Sequence, residues 1–165
     1  MPAAPPPETF DRLMLSIGRL NYFWSNTESL LIHLIAGLSG VDKEVAVILF
    51  LTLNTTRARV DLVERLAKLD RVPEERRERL LALTREFLQL SALRNRYSHS
   101  IYAFNGRGAP RTIQMRIADR RHDIRLGRTE PLDEDALAAL EDTLSALATL
   151  NRKVWKTIHD LGYPV

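Results

Sequence analysis

The 165-residue sequence predicts an all-α fold: an up-and-down bundle of four to five helices with a short β-hairpin insertion at about residues 103–128. Three observations carry this. Apolar residues recur alternately three and four positions apart over most of the chain, the spacing of one helix face. Capping residues (Asp, Thr, Pro) stand where these patterns begin, and glycine stands where two of them end. Only residues 103–130 depart, with glycine- and proline-marked turns beside stretches that alternate apolar and polar.

Met1-Pro-Ala-Ala-Pro-Pro-Pro lacks the charged start and apolar stretch of a signal peptide, so residues 1–8 read as a disordered leader. Thr9 is the expected N-cap of a first long helix. Its seam is Phe10, Leu13, Ile17, Leu20, Trp24, Thr27, Leu31, Leu34 and Leu38, and Ser39-Gly40 ends it. Asp42 caps a short helix whose residues 46–53 are apolar all round, which predicts burial on every side. Asn54-Thr55-Thr56 restarts the chain, and Leu62, Val63, Leu66 and Leu69 mark a third helix. Pro73-Glu74-Glu75 opens the fourth, with proline at the first position and carboxylates at the positive end of the dipole. That helix carries Leu80, Leu83, Phe87 and Leu90 and is expected to run to about residues 99–102.

Asn105-Gly106 is a hairpin-type dipeptide, and residues 112–117 and 123–126 alternate as short strands do. The last helix begins at Asp133, with Leu132 and Leu137 placed as a hydrophobic staple. Its seam runs through Leu140, Leu144, Leu147, Asn151, Val154, Ile158 and Leu161 to a stop at Gly162 and Pro164. Residues 9–162 therefore read as a single helical domain.

Composition narrows the chemistry. The absence of cysteine excludes a disulfide framework, a thiolate metal site and a cysteine nucleophile. The longest apolar run, residues 45–51, is far short of a membrane span, so the expectation is a soluble cytoplasmic protein without a membrane partner. Charge is uneven. Residues 94–128 hold nine arginines against Asp119 and Asp123, so a polyanion meets one attractive stretch. Arginine's planar fork suits phosphate. The nucleophile elbow, the zinc-protease helix motif, the phosphate-cradling loop and the dinucleotide fingerprint are all missing.

The residues that stand out are Arg94-Asn95-Arg96-Tyr97-Ser98-His99. Extending the fourth helix's seam gives Arg94, Tyr97 and Ile101, so Arg94 occupies a position where the pattern demands an apolar residue. Leu81, Leu88, Asn95, His99 and Tyr102 form the adjacent stripe, which aims Asn95 and His99 inward or into a cleft. Polar groups there need partners, because burying one unpaired costs roughly 1–3 kcal/mol. Either a structural network or an active site meets that need.

This hexapeptide, set in a helical bundle, resembles the Arg-Asn-x-x-x-His signature of the HEPN superfamily. A looser pattern, with four to six residues between Arg and His, also fits Arg116–His122 and Arg152–His159. Only Arg94–His99 has asparagine directly after the arginine. The resemblance implies a metal-independent endoribonuclease, often a toxin or defence effector, that acts as a homodimer with facing motifs and is held by a cognate antitoxin or inhibitor. It implies His99 in proton transfer, Arg94 on the phosphate and Asn95 in support, with no cofactor and no metal. Arg96, Arg107, Arg111 and Arg116 are the expected contacts to the RNA backbone. Tyr97 and Tyr102 are candidate modification points, since some related toxins are silenced by nucleotide transfer to a tyrosine near the motif.

Five residues on a helix is about 140°, so Arg94 and His99 do not share a face, and a second subunit's copy is one way to bring them to one phosphate. Other polar interruptions read as solvent-exposed or core hydrogen-bonded: Asn21, Glu28 and Asn151, with orientation of Arg94 or His99 as their functional option. His33 reads as a satisfied core residue, and His122 and His159 as solvated. Tyr22, Phe23 and Trp24 read as core or dimer interface. Two rival readings keep the same fold: a non-catalytic helical module that binds a nucleotide or a protein, and a DNA-binding accessory protein using the basic hairpin.

Overall fold

Helices dominate the computed structural model, which describes the chain from residue 7 onward except residue 120. In chain order they are α1 (Pro7–Ser29), α2 (Leu31–Ser39), α3 (Lys43–Thr52), α4 (Thr56–Ala67), α5 (Glu74–Ser98) and α6 (Glu134–Asp160). Between α5 and α6 lie β1 (Ser100–Phe104), β2 (Pro110–Gln114), β3 (Ile117–Asp119), β4 (Ile124–Leu126) and β5 (Thr129–Pro131). The chain divides into two compact units. One takes in Ser91–Ser145 with the chain up to Tyr22; the other takes in Phe23–Leu90 with Ala146–Val165.

In the first unit, Leu13, Ile17 and Leu20 of α1 are buried, as are Tyr97 of α5 and Leu132, Leu137 and Leu140 around the start of α6. The inserted segment is more than one hairpin. β1, β2 and β5 form an antiparallel three-stranded sheet in that order, with Ile101 opposite Ile113 and Thr112 opposite Glu130; β3 and β4 pair separately. The turn also differs from a two-residue Asn-Gly turn. Asn105 Oδ1 accepts from the backbone N–H groups of Arg107 and Ala109, each at 2.9 Å, and Gly108 takes the left-handed conformation at φ 79°. A five-residue loop results.

The helix starts obey local chemistry. Asp42 Oδ1 accepts from Val45 N–H at 2.9 Å, Thr55 Oγ1 from Ala58 N–H at 3.1 Å, and Asp133 Oδ1 from Ala136 N–H at 3.0 Å. Pro73 stands one place before its helix, where its carbonyl accepts from Arg77 N–H. Thr9 is not a cap. It lies inside the first turn of α1, which starts at Pro7, and its hydroxyl donates to Glu134 Oε1 at 3.1 Å. Residues 7 and 8, expected in the leader, are therefore helical; residues 1–6 lie outside the described part.

Three further expectations change. The first long helix is two: at Leu30 the bonds tighten to three-residue spacing, with its N–H donating to Thr27 O and its carbonyl accepting from His33 N–H. The fourth helix stops at Ser98, so Ile101 and Tyr102 belong to β1 and the seam does not reach them. The apolar α3 is not buried on every side. Ala46 and Phe50 are buried, whereas Ile48 and Leu51 are 60% and 63% exposed, with Val45 and Leu49 also at the surface.

The second unit is closed by Trp24 stacked on Phe87 at 4.3 Å and by an ion pair between Glu28 Oε1 and Arg59 Nη1 at 3.1 Å. Arg59 Nε also donates to the carbonyls of Phe50 and Leu53, which places a cation at the negative end of α3. Of the expectations for Glu28 (exposed, bonded in the core, or orienting the motif), the structure has the buried one: it is the counter-ion of Arg59 within this unit. Asn151 Nδ2 donates to Thr27 Oγ1 at 3.1 Å, a core hydrogen bond. His33 is buried with Nδ1 2.7 Å from the Pro164 carbonyl, and His159 is exposed and stacks on Trp155. Gly162, at φ 62°, ends α6: its N–H donates to His159 O, and Tyr163 N–H donates to Ile158 O, the paired bonds of a Schellman cap.

No described helix is long and apolar enough to cross a membrane.

Candidate active site

The end of α5 is tied down carbonyl by carbonyl, which sets where the hexapeptide points. Asn95 O accepts from His99 N–H at 3.1 Å, Arg96 O accepts from the Ser100 hydroxyl, and Tyr97 O accepts from the Tyr102 hydroxyl at 2.8 Å. These bonds satisfy acceptors that a helix C-terminus otherwise leaves open. His99 O in turn accepts from Met115 N–H at 2.9 Å, which fixes the end of the motif against the residue that follows β2.

An open cleft of about 380 Å³ lies beside this junction, lined by Asn95, Arg96, His99, Gln114, Met115 and Arg116. His99 is exposed, so its imidazole is within reach of a ligand. Arg94 is not part of the lining. It is half-buried, and its Nη1 donates to Asn95 Oδ1 at 3.0 Å. Within one chain, His99 thus lines the cleft directly, and Arg94 reaches it only through Asn95. Ser98 Oγ donates to Asn21 Oδ1 at 3.1 Å, so Asn21 braces the motif at Ser98.

Arg96 has a more specific position than a surface phosphate contact. Its Nε is ion-paired with Glu130 Oε2, and its guanidinium carbon lies 5.2 Å from the centre of the Tyr97 ring. Glu130 Oε1 also receives Arg128 Nε at 3.2 Å. A second cleft of about 330 Å³ opens here, lined by Arg96, Arg128, Glu130, Asp133 and Asp135 among others. Arg96 is common to both clefts.

The remaining candidates separate. Arg116 joins Arg96 at the first cleft. Arg107 is exposed on the hairpin loop, and Arg111 is half-buried on β2 with its Nε out of solvent and without a hydrogen-bond partner; neither lines either cleft. Tyr97 is 2% exposed and its hydroxyl is buried without a hydrogen-bond partner, so it is not presented for modification. Burial raises its pKa above 10.0; Arg96 opposes the rise, and Glu130 and Asp133 add to it. Tyr102, whose hydroxyl is held by the Tyr97 carbonyl, is raised by burial and by Tyr97. His122 is exposed.

Gln114, Arg128 and Glu130 escaped the sequence reading. Gln114 and Glu130 sit in strand segments whose alternation carries no chemical mark. Arg128 was one of nine arginines with nothing local to single it out. Among the described residues, no three His, Asp or Glu side chains are grouped to hold a metal ion. Compared with known proteins, the chain matches no family model, no curated protein and no solved structure.

Proposed function

We propose that the protein is an endoribonuclease of the HEPN type, its helices arranged as an up-and-down bundle and its active form a homodimer. The observation that supports this reading is the placement of the hexapeptide: Asn95, Arg96 and His99 line one open cleft with Arg116. RNA carries its own nucleophile. The 2′-oxygen attacks the adjacent phosphorus, the bond to the 5′-oxygen breaks, and the products end in a 2′,3′-cyclic phosphate and a 5′-hydroxyl. His99 serves as the proton carrier, since imidazole is the side chain suited both to take and to give a proton. One copy's His99 accepts the 2′-hydroxyl proton while the other's protonates the leaving oxygen. Arg94, which does not line its own chain's cleft, stabilises phosphate charge from the facing copy's motif. Asn95 positions Arg94 through their hydrogen bond. Arg96 and Arg116 hold the strand, with no base contact required.

The test is cleavage of total RNA in excess EDTA. Wild-type protein is expected to cut and to leave 2′,3′-cyclic ends, and His99→Ala to bind RNA, keep its helical circular dichroism and cut at least a thousandfold more slowly. Full activity in His99→Ala, or a strict need for added Mg²⁺, overturns the mechanism.

A second reading, a non-catalytic protein-binding module, is favoured by the surface-exposed Val45, Ile48, Leu49 and Leu51 of α3, a row that suits a protein partner.

A further inference from the structure

Two arginines from different elements converge on one carboxylate in the first unit. Arg96 comes from the last turn of α5, and Arg128 precedes β5, which carries Glu130. Glu130 is placed by the sheet: it lies opposite Thr112, and its own carbonyl accepts from the Thr112 hydroxyl at 3.5 Å. Its side chain is 19% exposed and that of Arg96 is 21% exposed, whereas Arg128 is 78% exposed. The Arg96–Glu130 pair is thus substantially shielded, and the Arg128–Glu130 pair is open to water.

That asymmetry matters for exchange. A shielded cation does not readily give up its counter-ion, because leaving either partner uncompensated costs several kcal/mol. An incoming anion removes the obstacle on one side, since Arg96 passes from carboxylate to phosphate without being left bare. Arg128 removes it on the other, since Glu130 keeps one guanidinium after releasing Arg96. The Tyr97 ring beneath Arg96 keeps the guanidinium in place during the exchange. Arg96 and Arg128 are outnumbered by Glu130, Asp133 and Asp135 in the second cleft, whereas the first holds Arg96 and Arg116 with no carboxylate in its lining, so the attraction for an anion comes from the first. The direction of approach is also set. Asp133 and Asp135 line the second cleft and repel a phosphate there, whereas Arg116 and His99 line the first.

We propose that Arg96 is a phosphate-binding subsite for the strand bound at His99, kept occupied by Glu130 until a backbone phosphate displaces that carboxylate onto Arg128. The identity of the ligand as RNA rests on the ribonuclease reading; the exchange of anions does not. Glu130 is therefore a brake on strand binding as well as a brace for the end of α5.

The experiment measures binding of a 2′-O-methyl RNA strand, which lacks the attacking hydroxyl, to the full chain across a salt series. Glu130→Gln is expected to bind about tenfold more tightly than wild type, the size expected from losing one nearby like charge. Its dependence on salt should steepen by about 0.7 in the log–log slope, one more phosphate neutralised. Glu141→Gln removes a carboxylate that pairs with Arg12 in the same unit and should change affinity less than threefold. Adding Arg96→Gln to Glu130→Gln should erase the gain. An effect no larger than that of Glu141→Gln, or a gain that survives Arg96→Gln, overturns the proposal. In case Glu130→Gln fails to fold, Arg96→Gln alone should weaken strand binding and lower the log–log salt slope by about 0.7; unchanged binding and slope overturn the proposal too. Tight binding without cleavage of any RNA defeats the ribonuclease reading alone. Cleavage with no effect of Glu130→Gln defeats this one alone.

Discussion

Gly37→Ala in α2 separates helix propensity from packing, because the two predict opposite signs. In an unconstrained helix interior, alanine is better than glycine by about 1 kcal/mol. Here a Cβ added at Gly37 would fall 2.1 Å from Tyr163 Cγ, 2.2 Å from Cδ1 and 2.6 Å from Cδ2. Ordinary carbon contacts lie at about 3.5–4 Å, so the ring must retreat by about 1.5 Å or more. It has little room to do so. Tyr163 is buried, its backbone N–H holds the cap of α6, and the next residue's carbonyl faces His33 Nδ1. Expelling a buried aromatic side chain and loosening a helix cap costs about 2–3 kcal/mol together. After the propensity gain, the net is a loss of about 1–2 kcal/mol, or a fall of about 2–8 °C in Tm. Urea melts of Gly37→Ala, Tyr163→Ala and the double variant complete the cycle. With the ring removed, Gly37→Ala should stabilise by about 1 kcal/mol, so the coupling between the two sites is about 2–3 kcal/mol. If Gly37→Ala stabilises the protein with Tyr163 intact, the packing argument is wrong.

Two more changes probe the same physics elsewhere. Tyr97→Phe removes a hydroxyl that is buried without a hydrogen-bond partner, so urea denaturation should find it neutral or up to about 1 kcal/mol more stable. Tyr102→Phe removes a hydroxyl that caps the Tyr97 carbonyl and should lose about 0.5–1.5 kcal/mol in the same measurement. Asp160 has its pKa lowered from 3.8, first by the Lys156 hydrogen bond and then by Arg79. A depressed folded-state value means its contribution is complete above about pH 4 and disappears as pH falls through the lower value. Asp160→Asn should therefore flatten the loss of stability on acidification below about pH 4, read from urea midpoints at a series of pH values, with little change in that slope near neutrality.

The elements legible in advance were those held by bonds between residues a few places apart. Asp42, Thr55 and Asp133 each accept from a backbone N–H three residues on, and Gly162 supplies a backbone angle that other residues resist. Such interactions are written in the local order of residue types. The hexapeptide was legible for the same reason: a polar interruption in a helical seam is visible without knowing what lies opposite. What lies opposite was not visible. Whether α3 is covered depends on what packs against it, and only Ala46 and Phe50 are buried among residues of near-equal hydrophobicity. Arg94 followed a seam that predicts an inward position, and its Nε is out of solvent, but the bond from its Nη1 to Asn95 Oδ1 could not be read from the seam. Glu130 had no local signature at all, because its role comes from strand pairing that carries it to Arg96. The sequence by itself determined the helix starts at Asp42, Thr55 and Asp133 and the stop at Gly162, since those depend on backbone bonds within a turn or two. Tertiary structure alone decided which arginine meets which carboxylate, because the energy of an ion pair depends on distance and burial that residues far apart in the chain acquire only on folding.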